Sequence, residues 1–177
     1  MSTAAINQDL RFPIGKFDPA LFQSRDQNIV TLENLSTRLE AAVAGLDDDQ
    51  LNIEYRPQGW TLRQTVHHIA DSHINSYCRF KLALTEDESP TIRPYYEDRW
   101  AELADSRLPV SVSLGIIDGV HARWTSMLRS MTDDEFKREF VHPETGNWTL
   151  EKALALYAWH SLHHAAHITE TRKRHGW

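Results

Sequence analysis

The chain has little of several features that small proteins use for stability or for recognising particular partners. It has one cysteine, Cys78, so no internal disulfide can form and no CxxC pair can hold zinc or carry out redox chemistry. No stretch approaches the roughly 18 apolar residues of a membrane span, and the N-terminus lacks the basic start and apolar run of a signal peptide. We therefore expect a cytoplasmic protein without a membrane partner, in which any metal ligand is a histidine or a carboxylate.

Clusters of basic residues are also missing. The net charge is -6, and no stripe of lysines and arginines could follow a phosphate backbone, so nucleic acid is not an expected partner. Glycine and proline, at seven each, are too few for a disordered or low-complexity chain. A length of 177 residues predicts a single domain over residues 1–177.

Apolar residues recur at helical spacing in four segments, and no segment shows the alternation of a convincing strand. The predicted helices run from Ser24 to Gly45, from Leu62 to about Leu84, from Ser111 to about Met131 and from Thr149 to about Arg174. Residues 1–23 predict an irregular arm, and residues 85–109 a long connection with a short helix near Trp100. The pattern predicts an all-α four-helix bundle with an irregular N-terminal arm and a long loop between helices two and three.

Histidine is abundant, and seven of the ten histidines fall in two short windows: His67, His68, His73, His160, His163, His164 and His167. On the fourth predicted helix the core-facing stripe continues through His160 and His164, with His167 near it and His163 at its edge. Histidines at i and i+4 can both reach one ion. A lone inward histidine is usually a hydrogen-bonded core residue. Four buried histidines on one face would need many polar partners, and one shared cation can satisfy several of their nitrogens together.

The ligand from the second predicted helix is harder to choose. Its apolar periodicity passes through His73 and leaves His67 and His68 on opposite flanks, and spacing alone leaves the third ligand open. The zinc-protease motif HExxH is absent, because Ser161 follows His160. Since a ligating imidazole must be neutral, we expect the ion to dissociate below about pH 6, near the reference pKa of histidine.

Several segments together carry a resemblance that covers nearly the whole chain. They are Pro13-Ile14-Gly15, Gly59-Trp60-Thr61, His67 to His73, Ile92-Arg93-Pro94-Tyr95, Phe136-Lys137-Arg138, His142-Pro143, Trp159 to His167 and Gly176-Trp177. With these segments the chain resembles the DinB-like superfamily, and within it the YfiT-type metal-dependent hydrolases.

The resemblance implies a homodimer in which each subunit binds one divalent ion through three histidines, here His68, His160 and His164. The ion is expected to be zinc, with nickel as the alternative. Whether His67, His73, His163 or His167 also contacts it stays open. The implied activity is hydrolysis of a small-molecule substrate by activated water. The alternatives are a thiol S-transferase of the bacillithiol type, acting on electrophiles, and a non-catalytic metal-binding stress protein.

Residues outside the histidine windows have weaker indications, and no catalytic residue is identified. Arg93 and Tyr95 are predicted to contact substrate. Long loops inside small domains are often functional, and these residues offer a guanidinium that can bind an anion and a phenol. A surface loop fixed by Pro94 is the alternative. Asp71, one turn after His68, is a candidate base or ligand partner, or simply a solvated carboxylate. Cys78 is expected to fill the core.

Overall fold

The computed structural model describes residues 9–22 and 24–177. Its helices are α1 (Arg25–Glu33), α2 (Leu35–Val43), α3 (Asp48–Leu51), α4 (Leu62–Thr85), α5 (Glu97–Ala101), α6 (Val110–Ser130), α7 (Asp133–Lys137) and α8 (Leu150–His175). Strands β1 (Glu139–His142) and β2 (Gly146–Thr149) form an antiparallel pair, and Pro19–Leu21 and Ala104–Arg107 are 3-10 turns. None of the described helices is long and apolar enough to cross a membrane.

The predicted four-helix bundle is confirmed. Its members are α4, α6, α8 and the α1–α2 pair, and both α4 and the α1–α2 pair pack against α6 and α8. The first two members of the bundle along the chain therefore lie diagonally opposite each other. Side-chain caps set the starts of two long helices: Thr61 forms a capping box with Gln64, and Thr149 accepts a hydrogen bond from the Lys152 amide.

The first predicted helix is interrupted. It consists of α1 and α2, which are separated at Asn34, where the Asn34 side chain donates to the carbonyl of Val30. Asparagine favours such local bonds to the backbone over a continuous helix. The apolar spacing carries on across the break, because Leu32 and Leu35 are both fully buried, and this continuity explains why periodicity predicted one helix.

The expectation that the chain has no strand was wrong. β1 and β2 form a hairpin in which Phe140 pairs with Trp148. Each strand has only four residues, too few to display alternation, and Gly146 supplies the left-handed backbone conformation (φ 78°) that the turn needs. Cys78 was also misplaced, since it is exposed on α4 rather than buried in the core.

The core of the bundle has two apolar parts with a polar layer between them. One part surrounds Phe80 and Trp124, and the other surrounds Leu39 and Ile69. On α4, α6 and α8, one histidine lies at the level where the first part gives way to the second. These histidines, His73, His121 and His160, are joined by hydrogen bonds, and we call them the histidine layer. The break between α1 and α2 occurs at the same level of the bundle.

Candidate metal centre

Three histidines from two helices converge at one edge of the histidine layer. His68 comes from α4, and His160 and His164 lie one turn apart on α8. One nitrogen from each ring lies within 4.8 Å of one nitrogen of each of the others. The Nε2 atoms of His68 and His160 are 3.3 Å apart. We call these three residues the first triad, and they are the set that the family resemblance implied.

The first triad has a donor set and a spacing that fit a divalent ion. Two nitrogens bound to one tetrahedral zinc, each at about 2.0–2.1 Å, lie about 3.3 Å apart, which matches the separation of His68 and His160. Three imidazoles without a thiolate suit zinc or nickel. Three protein ligands also leave a position open for water or substrate, as in catalytic rather than structural sites.

Burial keeps these imidazoles neutral. It lowers the pKa of His68 to about 4, with a smaller contribution in the same direction from His163. The pKa of His160 and that of His164 fall well below the usual value, first because of burial and then because of neighbouring imidazoles. All three rings are therefore neutral at pH 7, the form that binds a metal ion.

A second group of histidines lies beside the first. His163, His164 and His167, all on α8, also bring one nitrogen each within 4.8 Å of the others, and we call them the second triad. The two triads share His164. The Nδ1 atoms of His164 and His167 are 3.3 Å apart, and the other nitrogen of His167 faces the Arg11 carbonyl at 3.3 Å. The Nδ1 atom of His163 is buried without a hydrogen-bond partner among the described residues.

His67 and His73 have other partners for both ring nitrogens. In His67 they contact the Ser113 hydroxyl at 2.7 Å and the Leu108 carbonyl at 3.0 Å, which ties α4 to α6. In His73, Nδ1 lies 2.8 Å from His121 Nε2, and Nε2 lies 3.1 Å from His160 Nδ1. His73 is thus completely buried behind His160, on the side away from His68.

Sequence reasoning missed His121. Counting apolar residues alone predicts a stripe on this helix of Leu114, Ile117, Val120, Trp124 and Leu128. The buried residues of α6 include Ile117, Trp124 and Leu128, but the polar Ser113, His121 and Thr125 in place of Leu114 and Val120. His121 lies four residues after Ile117 and three before Trp124, so the helical period alone could have placed it in the core. Its Nδ1 atom contacts the Leu32 carbonyl at 2.7 Å.

The two predicted substrate residues are in different surroundings. Both line an open cleft formed by the long connection and the β-hairpin, where Arg93 is exposed. The hydroxyl of Tyr95 is buried beside Tyr157 and Ser72, and burial raises its pKa above the usual value. Since the Tyr157 ring packs 5.5 Å from that of His160, Tyr95 links the cleft to the surroundings of the first triad.

Asp71 is not the solvated carboxylate that was the alternative interpretation. It is partly buried, and burial, followed by the charge of Asp105, raises its pKa to about 6. Trp60 covers the first triad, with its ring centroid 4.3 Å from that of His68. Its indole Nε1 donates to Asp98 at the start of α5, which fixes the long connection beside the triad.

The N-terminal arm lies over α8 on the side of the second triad. The Trp159 indole donates to the carbonyl of Gly15 at 3.2 Å, and Phe12 packs 5.9 Å from His163. The described part of the arm is therefore held against α8 by aromatic side chains. Residues 1–8 and 23 of the predicted arm lie outside the described residues.

The chain is similar to known proteins over nearly its whole length. A family model described as the DinB superfamily matches residues 31–168. A protein of Bacillus cereus strain B4264, named "Putative metal-dependent hydrolase", is 52% identical, and the alignment covers 96% of this chain and 99% of that protein. The structure of YfiT from Bacillus subtilis, described as "a probable metal-dependent hydrolase with an unusual four-helix bundle topology", has a TM-score of 0.91 and 52% identity, again over 96% and 99% of the two chains.

A more distant structure shares the fold alone. A mycothiol-dependent maleylpyruvate isomerase has a TM-score of 0.64 at 15% identity, over 80% of this chain and 59% of the isomerase. At such low identity the likeness says nothing about the reaction.

Proposed function

The chain belongs to the DinB superfamily, and we propose that it is a metal-dependent hydrolase that holds one divalent ion, zinc or alternatively nickel, on His68, His160 and His164. The convergence of these three rings, with two Nε2 atoms 3.3 Å apart, carries the proposal. The names of the relatives that match over nearly their whole length agree with it.

An ion of this kind, when bound, makes water more acidic and polarises the bond to be cleaved. The residues around it would supply the other functions. We assign Asp71, which follows His68 by three residues on α4 and so lies on the same side of that helix, as the base that accepts the proton of the attacking water. Burial raises the pKa of this carboxyl to about 6, near the working pH, as a general base requires. Arg93 and Tyr95 would bind the substrate from the cleft, the first through its charge and the second through its phenol.

A test combines metal analysis with activity. The purified protein is stripped, reloaded with zinc or nickel, and assayed on ester, amide and phosphoester panels. We expect hydrolysis that depends on the ion and is lost in His160→Ala, while His67→Ala, whose side chain faces α6, stays active. Asp71→Asn should retain the ion but lower kcat by about a hundredfold or more.

The same preparation distinguishes the alternatives. The protein is also incubated with a low-molecular-weight thiol and an electrophile. If it consumes both of these but hydrolyses no substrate of the panels, the activity is thiol S-transfer instead of hydrolysis. Tight ion binding with neither reaction would leave a non-catalytic metal-binding protein. The homodimer, the small-molecule substrate and the cytoplasmic location belong to the proposal as well, and light scattering of the purified protein measures the first of them.

A further inference from the structure

The histidines behind the first triad form two hydrogen-bonded chains, and each chain ends on a backbone carbonyl. The long relay runs from the Leu32 carbonyl to His121, His73 and His160. The short relay runs from the Arg11 carbonyl to His167 and His164. Four histidines outside the ligand set remained open after the sequence analysis, and two of them, His73 and His167, belong to these relays, together with His121.

The carbonyl at the end of each relay fixes the direction of every bond in it. A carbonyl only accepts hydrogen bonds, so the ring nitrogen that contacts it carries the hydrogen, and in a neutral imidazole the other nitrogen must then accept. His121 therefore donates from Nδ1 to Leu32 and accepts at Nε2 from His73 Nδ1. His73 then accepts at Nε2 from His160 Nδ1, 3.1 Å away. The Nε2 atom of His160 is left with its lone pair.

The short relay gives the same result for His164. His167 donates from Nε2 to the Arg11 carbonyl, so its Nδ1 accepts from His164 Nδ1. This leaves the lone pair of His164 on Nε2 as well. His73, His121 and His167 are at most 3% exposed, and a charged imidazolium is strongly disfavoured at such positions, so the assumption of neutral rings holds.

We propose that the two relays lock His160 and His164 in the tautomer that presents Nε2 to the ion, and that His73, His121 and His167 are positioning residues for the metal site. Ligating histidines are commonly held in this way by a carboxylate, carbonyl or water. Here other histidines do so, and they connect the ligands to the break between α1 and α2 and to the N-terminal arm. The inference rests on the ligand set proposed above.

The relays also decide between the two triads. For the second triad to hold an ion beside the first, His164 would have to bind the second ion through Nδ1, but the short relay keeps a hydrogen there. The chain should therefore bind one ion and not two. His68 differs from the other ligands: because His160 Nε2 has no hydrogen, His68 Nε2 must donate across the 3.3 Å between them in the metal-free protein.

Nitrogen-15 NMR of the metal-free protein, labelled at histidine, directly tests which ring nitrogen of each histidine carries the hydrogen. We expect hydrogens on Nδ1 of His73, His121, His160 and His164, and on Nε2 of His68 and His167. Titration with zinc should leave the tautomers of His160 and His164 unchanged and move or remove the Nε2 hydrogen of His68. A hydrogen on Nε2 of His160 or His164 in the metal-free protein would overturn the proposal.

Affinity for zinc, measured by competition with a chelator, tests the consequence. His73→Phe and His167→Phe keep a ring of similar size but cannot continue a relay, and each should weaken zinc binding by about 10- to 100-fold. The matched control is His67→Phe, a buried histidine of α4 outside both relays, which should change affinity less than about threefold. Unchanged affinity in both relay variants, equal loss in the control, or two ions per chain would refute the proposal.

Failure of the proposed function has a different signature. If the wild-type tautomers are as assigned but the protein does not bind zinc or nickel, the hydrogen-bond directions in the relays are correct and the proposed metal site is wrong. If a relay variant does not fold, the tautomers of the wild-type protein still decide the matter.

Discussion

The two histidine triads share His164 but differ in what their nitrogens can do. In both, one nitrogen of each ring lies within 4.8 Å of the others. The first triad joins two helices and leaves Nε2 lone pairs free on α8. The second lies within one helix, where both nitrogens of His167 have hydrogen-bond partners and the buried Nδ1 of His163 has none in the part of the chain that the structure describes. Proximity of histidines is thus a poor criterion for a metal site, and the hydrogen bonds behind them distinguish the two.

Removing single ligands should separate the triads most strongly. His68→Ala, His160→Ala and His164→Ala are each expected to weaken zinc binding by at least about 100-fold, because two histidines remain of three. His163 belongs only to the second triad, so His163→Ala should change the affinity for zinc by less than about threefold. Metal analysis after dialysis against a chelator measures this, with circular dichroism as the control for folding. Loss of the ion in His163→Ala alone would mean that the second triad is the site.

Acid tests a property that the triads share, their burial. The folded-state pKa of His68 lies at about 4, below its value of about 6.5 in the unfolded chain, so the unfolded state binds more protons between these values. Its contribution to stability is present above pH 6.5 and is lost as pH falls toward 4, on the order of 3 kcal/mol for this residue alone.

Burial therefore changes the expectation that the ion leaves below about pH 6. We expect the ion and the helical signal to be lost together between pH 6.5 and 4, as measured by metal content and circular dichroism across a pH series. Release of the ion at pH 6 from a fully folded protein would show that the buried imidazoles take up protons more easily than their surroundings indicate.

His68 and His73, both on α4, should differ in what substitution by alanine affects most: zinc binding for His68, and the stability of the metal-free protein for His73. His73→Ala removes a completely buried ring and leaves His121 and His160 without a partner, so the metal-free protein should lose about 2–4 kcal/mol of stability. His68→Ala should cost the metal-free protein less but lose the ion. Thermal unfolding of both metal-free variants, with zinc affinity, separates the roles. The reverse result would make His73 the ligand, as apolar periodicity suggested.

The smallest effect concerns Asp71, three residues after His68 on α4. The pKa of Asp71 is raised from 3.8 to about 6 in the folded protein, so ionising this carboxyl lowers the free energy of unfolding. The loss of stability is absent below pH 3.8, grows as pH rises and is complete above pH 6. Asp71→Asn should stabilise the metal-free protein at pH 8 by at most about 2 kcal/mol, since solvent screens a partly buried group. Denaturant unfolding measures it, with the exposed Asp118→Asn as control. No gain over that control would mean that Asp71 is well solvated.

The fold could be predicted largely from periodicity and capping residues. The predicted starts at Leu62 and Thr149 agree with α4 and α8 to within one residue, because Thr61 and Thr149 cap these helices and a side-chain cap is a local signal. The break at Asn34 and the β-hairpin could not be predicted. At the break the apolar stripe continues, and four-residue strands are too short for alternation to appear.

In the site too, some ligands could be predicted from local spacing, while others depend on contacts between distant segments. His160 and His164 share a helical face, so their convergence was visible from spacing, whereas the place of His68 came from the family resemblance. The local apolar periodicity of α4 favoured His73, whereas the difference between the two histidines lies in what α6 and α8 place opposite each of them. His121 escaped notice since it stands alone in a window without other histidines.

The ends of the two relays bear on how the protein is made. Arg11 and His167 are 156 positions apart in the chain, and Leu32 and His121 are 89 positions apart. During synthesis the arm and α1 leave the ribosome long before α8, which supplies two of the three proposed ligands. A chain can therefore present both proposed α8 ligands in the form that the relays fix only after synthesis has passed residue 167 and the arm and α1 have packed against the later helices.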